Sequence, residues 1–148
     1  MKVMATPEHA ASALSALQHG FAGAIVVVVG GRGGIGREVV RQAHDLGARV
    51  VVVSSSTGGE AIDGAAFELE RIVTLRCDIR VAAEVHRLAE AVGTALGRVD
   101  ILVNSAGSSV QVPLTAIDRL TDELVAEVFQ SNALGVLATI REFTPWLQ

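Results

Sequence analysis

The sequence predicts an α/β fold built on a doubly wound parallel sheet. Short apolar runs rich in β-branched residues alternate with segments whose apolar residues recur at helical spacing, the pattern of strands joined by crossover helices. Half of the 148 residues are hydrophobic but only 3% are aromatic. The core therefore rests on Ala, Val, Leu and Ile, which suit strands covered on both faces. A glycine-rich turn also stands between the first apolar run and the first helical segment, where such folds bind ligands.

Taken in order, residues 1–22 read as an appended helix. Thr6 can cap it, Pro7 suits its first turn and Gly20 can end it. Ala10, Leu14 and Leu17 share a face, with Ala13 beside them; that face packs on the domain or meets another subunit. The domain proper spans 23–148. Ala24–Val29 is a continuous apolar run, as in a buried parallel strand. Ile35, Val39, Ala43 and Leu46 then mark a helix that Gly47 can terminate. Arg49–Val53 is a second strand, followed by the polar stretch Ser54–Gly59. The segment around Gly58–Glu68 reads as loop or short helix. Ile72–Arg76 is a third strand. Val85, Leu88, Ala89 and Val92 mark a helix between Val81 and Leu96. Val99–Val103 is a fourth strand. Gly107–Asp118 is loop or short helix, broken by Pro113. Thr121 can cap a long last helix, with Asp122 and Glu123 at its positive end, running through Leu124, Val128 and Asn132 to Thr144, where Pro145 stops it.

Composition narrows the function. The formal net charge of −4 disfavours a nucleic-acid partner. No apolar run approaches the ~18 residues of a membrane span. The lack of a long apolar signal core points to a cytoplasmic protein. Cys77, the single cysteine, has no CxxC partner and reads as a small buried thiol at a strand end. His9, His19, His44 and His86 show no metal-binding spacing, so no metal site is expected.

The turn Val29-Gly30-Gly31-Arg32-Gly33-Gly34-Ile35-Gly36 is the richest feature. A phosphate needs close backbone approach and unpaired N–H donors, which a helix N-terminus supplies with a favourable dipole. Side chains would block that approach, so glycine is used. Gly30, Gly34 and Gly36 lie between a buried strand and an amphipathic helix, the context a dinucleotide loop requires; a merely structural tight turn is the alternative.

The spacing Gly30-xxx-Gly34-Ile35-Gly36 resembles the TGxxxGIG motif of the short-chain dehydrogenase/reductase family. Asn104-Ser105-Ala106-Gly107 is similar to its NNAG, and Cys77-Asp78-Ile79 to its adenine-contacting Asp segment. Asn132 in the long helix and Pro145 near its end also match. The motifs fall in the family's order over 24–147 and cover the first part of a usual member. Val29 replaces the motif's threonine, and Ser105 the second asparagine of NNAG. The resemblance implies a Rossmann-type doubly wound parallel sheet, truncated, in strand order 3-2-1-4 with helices on both faces.

It also implies roles. Gly30, Arg32, Gly33 and Ile35 would meet the phosphates and the nicotinamide side, while Gly34 and Gly36 let backbone and helix approach closely. Asp78 and Ile79 would flank the adenine, and Asn104, Ala106 and Gly107 would line the ribose side. Asn132 matches the asparagine that supports the family's catalytic proton relay; on its own it is a polar residue inside a helix that seeks a buried partner. The cofactor follows from charge at the end of the second strand. An NAD site places Asp or Glu there for the ribose 2′-OH. Here Ser54, Ser55, Ser56 and Thr57 tolerate a 2′-phosphate, with Arg32 able to pair with it. NADP is expected rather than NAD, unless Ser54–Thr57 is an ordinary polar loop and Arg32 faces solvent.

The sequence contains no tyrosine and its one lysine is Lys2, so the family's catalytic YxxxK is absent. Two classes stay open: an oxidoreductase of the family present as its dinucleotide-binding part, incomplete at the C-terminus, or a catalytically inactive dinucleotide-binding or self-associating module. An end at Gln148 leaves the fourth strand's edge bare, so a homo-oligomer or a chain completing the sheet is expected.

Overall fold

A computed structural model of the chain describes residue 15 and residues 19–56 and 71–148. Most of the expected 1–22 helix, the Thr57 end of the serine loop and the Gly58–Glu68 segment lie outside the described residues. Ser15 and 19–21 are helical, and His19 Nδ1 lies 2.6 Å from the Ser15 carbonyl.

Four strands form one parallel sheet: β1 (Ile25–Val29), β2 (Arg49–Ser54), β3 (Ile72–Arg76) and β4 (Ile101–Asn104), in the spatial order β3-β2-β1-β4. In register, Val27 stands between Val51 of β2 and Leu102 of β4. The helices are α1 (Gly34–Asp45), α2 (Ala82–Leu96), α3 (Asp122–Phe129) and α4 (Val136–Phe143). Among the described residues, no helix is long and apolar enough to cross a membrane.

The unbroken valine runs have a simple cause. Successive strand residues point to opposite faces, and here both faces are covered. Val27, Val29, Val51, Val53 and Leu75 pack with Val85, Leu88 and Val92 of α2 and Phe143 of α4. Val26, Val28, Val50 and Val52 pack on the other side with Val40 and Ala43 of α1. Each such side chain contributes ~1.5–3 kcal/mol on burial.

Gly47 (φ +99°) follows α1 as expected, but Gly20, expected to end the first helix, is itself helical, and the helix runs on to Phe21. Gly97 (φ +79°) caps α2 with its N–H on the Gly93 carbonyl at 2.8 Å. The segment Leu114–Arg119 after Pro113 is a short 3-10 helix.

Two elements depart from the sequence reading. The fourth strand starts at Ile101, not Val99. The Asp100 carboxylate accepts the Ile25 N–H at 2.7 Å, taking a place that a main-chain carbonyl holds in a continued ladder. Val99 is fully buried and instead pairs in parallel with Leu147, its N–H donating to the Trp146 carbonyl at 2.8 Å.

The last helix is not one α-helix. Thr121 does cap it, its hydroxyl accepting from the Leu124 N–H at 3.4 Å, but a π-helical stretch, Gln130–Gly135, separates α3 from α4. Asn132 within this stretch is tied to the strand-4 loop, and Gly135 sits where a Cβ would meet Ile79 Cγ1 at 2.8 Å. Those two anchors hold the wider turn in place. A 3-10 turn, Thr144–Trp146, carries Pro145 and ends the element.

Candidate dinucleotide site

The C-terminal ends of β1 and β2, with the segments that follow β3 and β4, line one cleft of about 320 Å³. β1 lies between β2 and β4, so the chain leaves it toward one side and later returns on the other. The cleft stands at this switch point, where open parallel sheets bind ligands.

The glycine turn forms one wall. Gly30 adopts φ +83°, and a Cβ there would lie 2.5 Å from the Ala106 nitrogen, so only glycine fits between β1 and the strand-4 loop. The Val53 carbonyl accepts from Gly30 N–H at 2.7 Å and Gly31 N–H at 3.3 Å, tying the turn to β2. Gly36 packs directly on the Gly30 carbonyl, which brings α1 against the turn. Gly34 differs: a Cβ there would meet nothing within 4 Å. It therefore does not serve a close approach of helix and strand, as the sequence suggested. Gly33 caps α1 without a side-chain bond, and the first turn of α1 carries no acidic residue. The first N–H groups of such a helix need an outside acceptor. Arg32 is exposed on the turn, and Ile35 is 79% exposed, a large apolar side chain beside that helix start.

The opposite wall comes from the ends of β2 and β3. Ser54 and Ser55 line it, and Ser54 Oγ accepts from the Ser56 N–H at 3.3 Å while lying 2.9 Å from Ser56 Oγ. Asp78 and Ile79 also line it. Arg80 grips Asp78, with Nη2 donating to Oδ2 at 2.7 Å and Nε to Oδ1 at 3.0 Å. That hydrogen bond, backed by the guanidinium charge, holds the Asp78 carboxyl below the usual range. The Asp78 N–H is taken by the Glu84 carboxylate at 2.8 Å, which fixes the loop at the head of α2. Cys77 is buried beneath; burial first, then the charges of Glu84 and Asp78, push its thiol up to about 12.

The floor belongs to the strand-4 loop and the π stretch. Ser105, Ala106, Gly107 and Ser108 reach the cleft, as does Ser131. Asn132 Oδ1 accepts from the Ser108 N–H and Asn132 Nδ2 donates to the Ser108 carbonyl, both at 2.8 Å. Ser131 Oγ donates to Asn132 Oδ1 at 2.8 Å and lies 2.6 Å from Ser108 Oγ. Asn104 sits one step back, its Oδ1 accepting from the buried Thr139 hydroxyl at 2.7 Å.

Of the residues singled out by sequence, Gly30, Gly33, Ser54, Ser55, Asp78, Ile79, Ala106 and Gly107 line the cleft itself. Gly34, Ile35, Gly36 and Arg32 belong to its glycine wall. Asn104 and Asn132 brace its floor. Sequence reasoning missed Arg80, Ser108 and Ser131. Arg80 could have been found as a cation two residues beyond Asp78 in a turn. The two serines carry no spacing signal, because a chain separation of 23 residues is closed only by the π turn.

The arrangement suits an elongated, anionic ligand: bare helix N–H groups at one wall, hydroxyls and a carboxylate at the other, small residues between. A sequence model described as short chain dehydrogenase matches residues 24–148. L-fucose dehydrogenase of Oryctolagus cuniculus is 33% identical over 129 residues, 86% of this chain and 44% of that enzyme. Among solved structures, the RhlG/NADP active-site complex of Pseudomonas aeruginosa is 29% identical, with a TM-score of 0.68, covering 84% of this chain and 48% of that one. A short chain dehydrogenase/reductase of Burkholderia phymatum in complex with NAD is 28% identical, with a TM-score of 0.71 and coverages of 86% and 45%. The chain spans about half the length of the relatives it matches. Its ordered motifs, its sheet topology and this cleft have a common explanation: the chain belongs to the short-chain dehydrogenase/reductase family.

Proposed function

We propose that this chain binds NADP(H) in the strand-end cleft and is the dinucleotide-binding part of an oxidoreductase that moves hydride between the cofactor and a carbonyl or alcohol. The observation that carries the reading is the uncapped start of α1 beside the open face of Gly34. Helix N–H groups there receive the pyrophosphate. Gly30 and Gly33 let it approach, and Arg32 and Ile35 flank it. Asp78 and Ile79 hold the adenine edge. Asn104, Ala106 and Gly107 stand at the ribose and nicotinamide side. Asn132 braces Ser108 and Gly107 and supports the proton relay of the family. NADP is favoured over NAD because Ser54 ends β2 where a carboxylate would repel a 2′-phosphate. The NADP complex of RhlG and the NAD complex of the Burkholderia protein show that relatives of this fold use either.

The cofactor supplies the hydride. The described cleft supplies binding and orientation, and Asp78, its one lining carboxylate, is held by Arg80. With no tyrosine in the sequence, the 148-residue chain is expected to bind without turnover. Calorimetric titration with NADPH and NADH, beside an assay of NADPH-dependent carbonyl reduction, tests both parts. Tighter binding of NADPH with no reduction is the expected result. Failure to bind either nucleotide removes the reading, and robust reduction by the pure chain removes its second half.

A second reading, a self-associating module without hydride transfer, draws on the exposed Phe129 and Leu137 (58% and 59% exposed). It differs from the first in needing no nucleotide.

A further inference from the structure

β3 ends at Arg76, a residue with no role in the cleft described above. In the parallel register Arg76 stands directly beside Ser54 of β2, one strand spacing of ~4.8 Å away. The two side chains share a face. Val73, Leu75 and Cys77 pack on the α2 side of the sheet, whereas Ile72 packs with the α1-side cluster. Alternation therefore puts Arg76 on the α1 side. Val50 and Val52 pack on that same side, and alternation carries Ser54 there as well.

Both residues are the last of their strands, and Ser54, Ser55, Cys77 and Asp78 line the cleft around them. Arg76 is exposed, and no hydrogen bond or ion pair joins it to another described residue. The nearest lining carboxylate, Asp78, is taken up by Arg80. The corner thus presents a cation and the Ser54–Ser56 hydroxyls at the place where the second strand of a dinucleotide fold meets the adenosine ribose.

We propose that Arg76 is a specificity-determining residue that recognises the nucleotide's 2′-phosphate, with Ser54 beside it leaving room for the phosphate. The proposal rests on the NADP reading above. A guanidinium offers a planar fork of donors that matches phosphate oxygens, and its charge is not titrated away at any working pH. The same group gains nothing from a bare 2′-hydroxyl, so it discriminates between the cofactors and does not strengthen binding in general.

The test uses two small probes, 2′,5′-ADP and 5′-AMP, titrated into the 148-residue chain by calorimetry. Wild type, Arg76→Met, Arg76→Lys and Arg32→Met are compared, each checked for an unchanged thermal midpoint. The expected result is a wild-type preference for 2′,5′-ADP that Arg76→Met lowers about tenfold, with 5′-AMP affinity unmoved. Arg76→Lys keeps part of the preference because the charge remains without the fork. A preference that survives Arg76→Met intact, or that Arg32→Met alone abolishes, overturns the assignment and leaves the NADP reading standing. A wild type that binds both probes equally overturns the NADP reading and the Arg76 assignment with it.

Discussion

The glycines of the turn serve two different ends, and substitution separates them. Gly30 is required by the fold, since its φ of +83° and the 2.5 Å approach of a Cβ to the Ala106 nitrogen leave no room for a side chain. Left-handed backbone alone costs a non-glycine residue ~1–2 kcal/mol. Gly30→Ala is therefore expected to lower unfolding free energy in urea by at least ~2 kcal/mol, with overlap added to strain. Gly34, at the uncapped start of α1, has nothing within 4 Å of a Cβ. Gly34→Ala should leave urea stability within ~1 kcal/mol of wild type, on the favourable side, because alanine suits a helix better than glycine. The added methyl stands beside the helix start proposed to receive the pyrophosphate and should weaken NADPH binding about tenfold or more. Equal stability losses for the two variants would refute this division. The sequence shows the triplet but not which glycine the packing requires; that needs the position of Ala106, which lies far along the chain.

Elements whose signal is local match the sequence reading closely. β1, β2 and β3 fall within a residue of their apolar runs because β-branched residues buried on two faces leave little choice. The failures are non-local. Val99 looks like a strand residue, yet its partner is Leu147 and its neighbour Asp100 spends a side chain on Ile25. The π stretch follows from Asn132 reaching Ser108 and Gly135 meeting Ile79, neither visible as periodicity. The same long-range packing supports a prediction about α2. Gly93 lies directly against the indole of Trp146, the chain's single tryptophan, and the neighbouring Leu147 pairs with Val99. Gly93→Ala has no space and should displace the ring, at a cost of ~1–3 kcal/mol for overpacking. Red-shifted Trp146 emission together with a lowered thermal midpoint is the expected pair of readouts; emission unchanged from wild type would show that the ring does not depend on this contact.

Across the whole molecule, the covering of the sheet is uneven. β1 is buried along its full length, whereas every residue of β4 is only half-buried. Along the last helical element Val125, Phe129, Leu134, Leu137 and Ile140 are exposed. Their spacing is +4, +5, +3 and +3. The +5 step spans the π stretch, where the repeat lengthens by one residue, so the row stays on one face through the irregular turn. A single exposed leucine needs no explanation, but a continuous apolar row does. A second copy of this chain is the proposed partner, since a row of such side chains can pack against its own image about a two-fold axis. Sedimentation at micromolar concentration should then show dimers or larger species, and Leu137→Glu should shift them to monomer, because a carboxylate in a dry interface is costly. The cleft proposed to hold the nucleotide opens at the strand ends, among residues this row does not include. NADPH affinity of the Leu137→Glu variant should therefore match wild type once it is monomeric. A wild-type chain that sediments as a monomer would leave the apolar row without a self-associating role, and the dinucleotide site would stand independently of it.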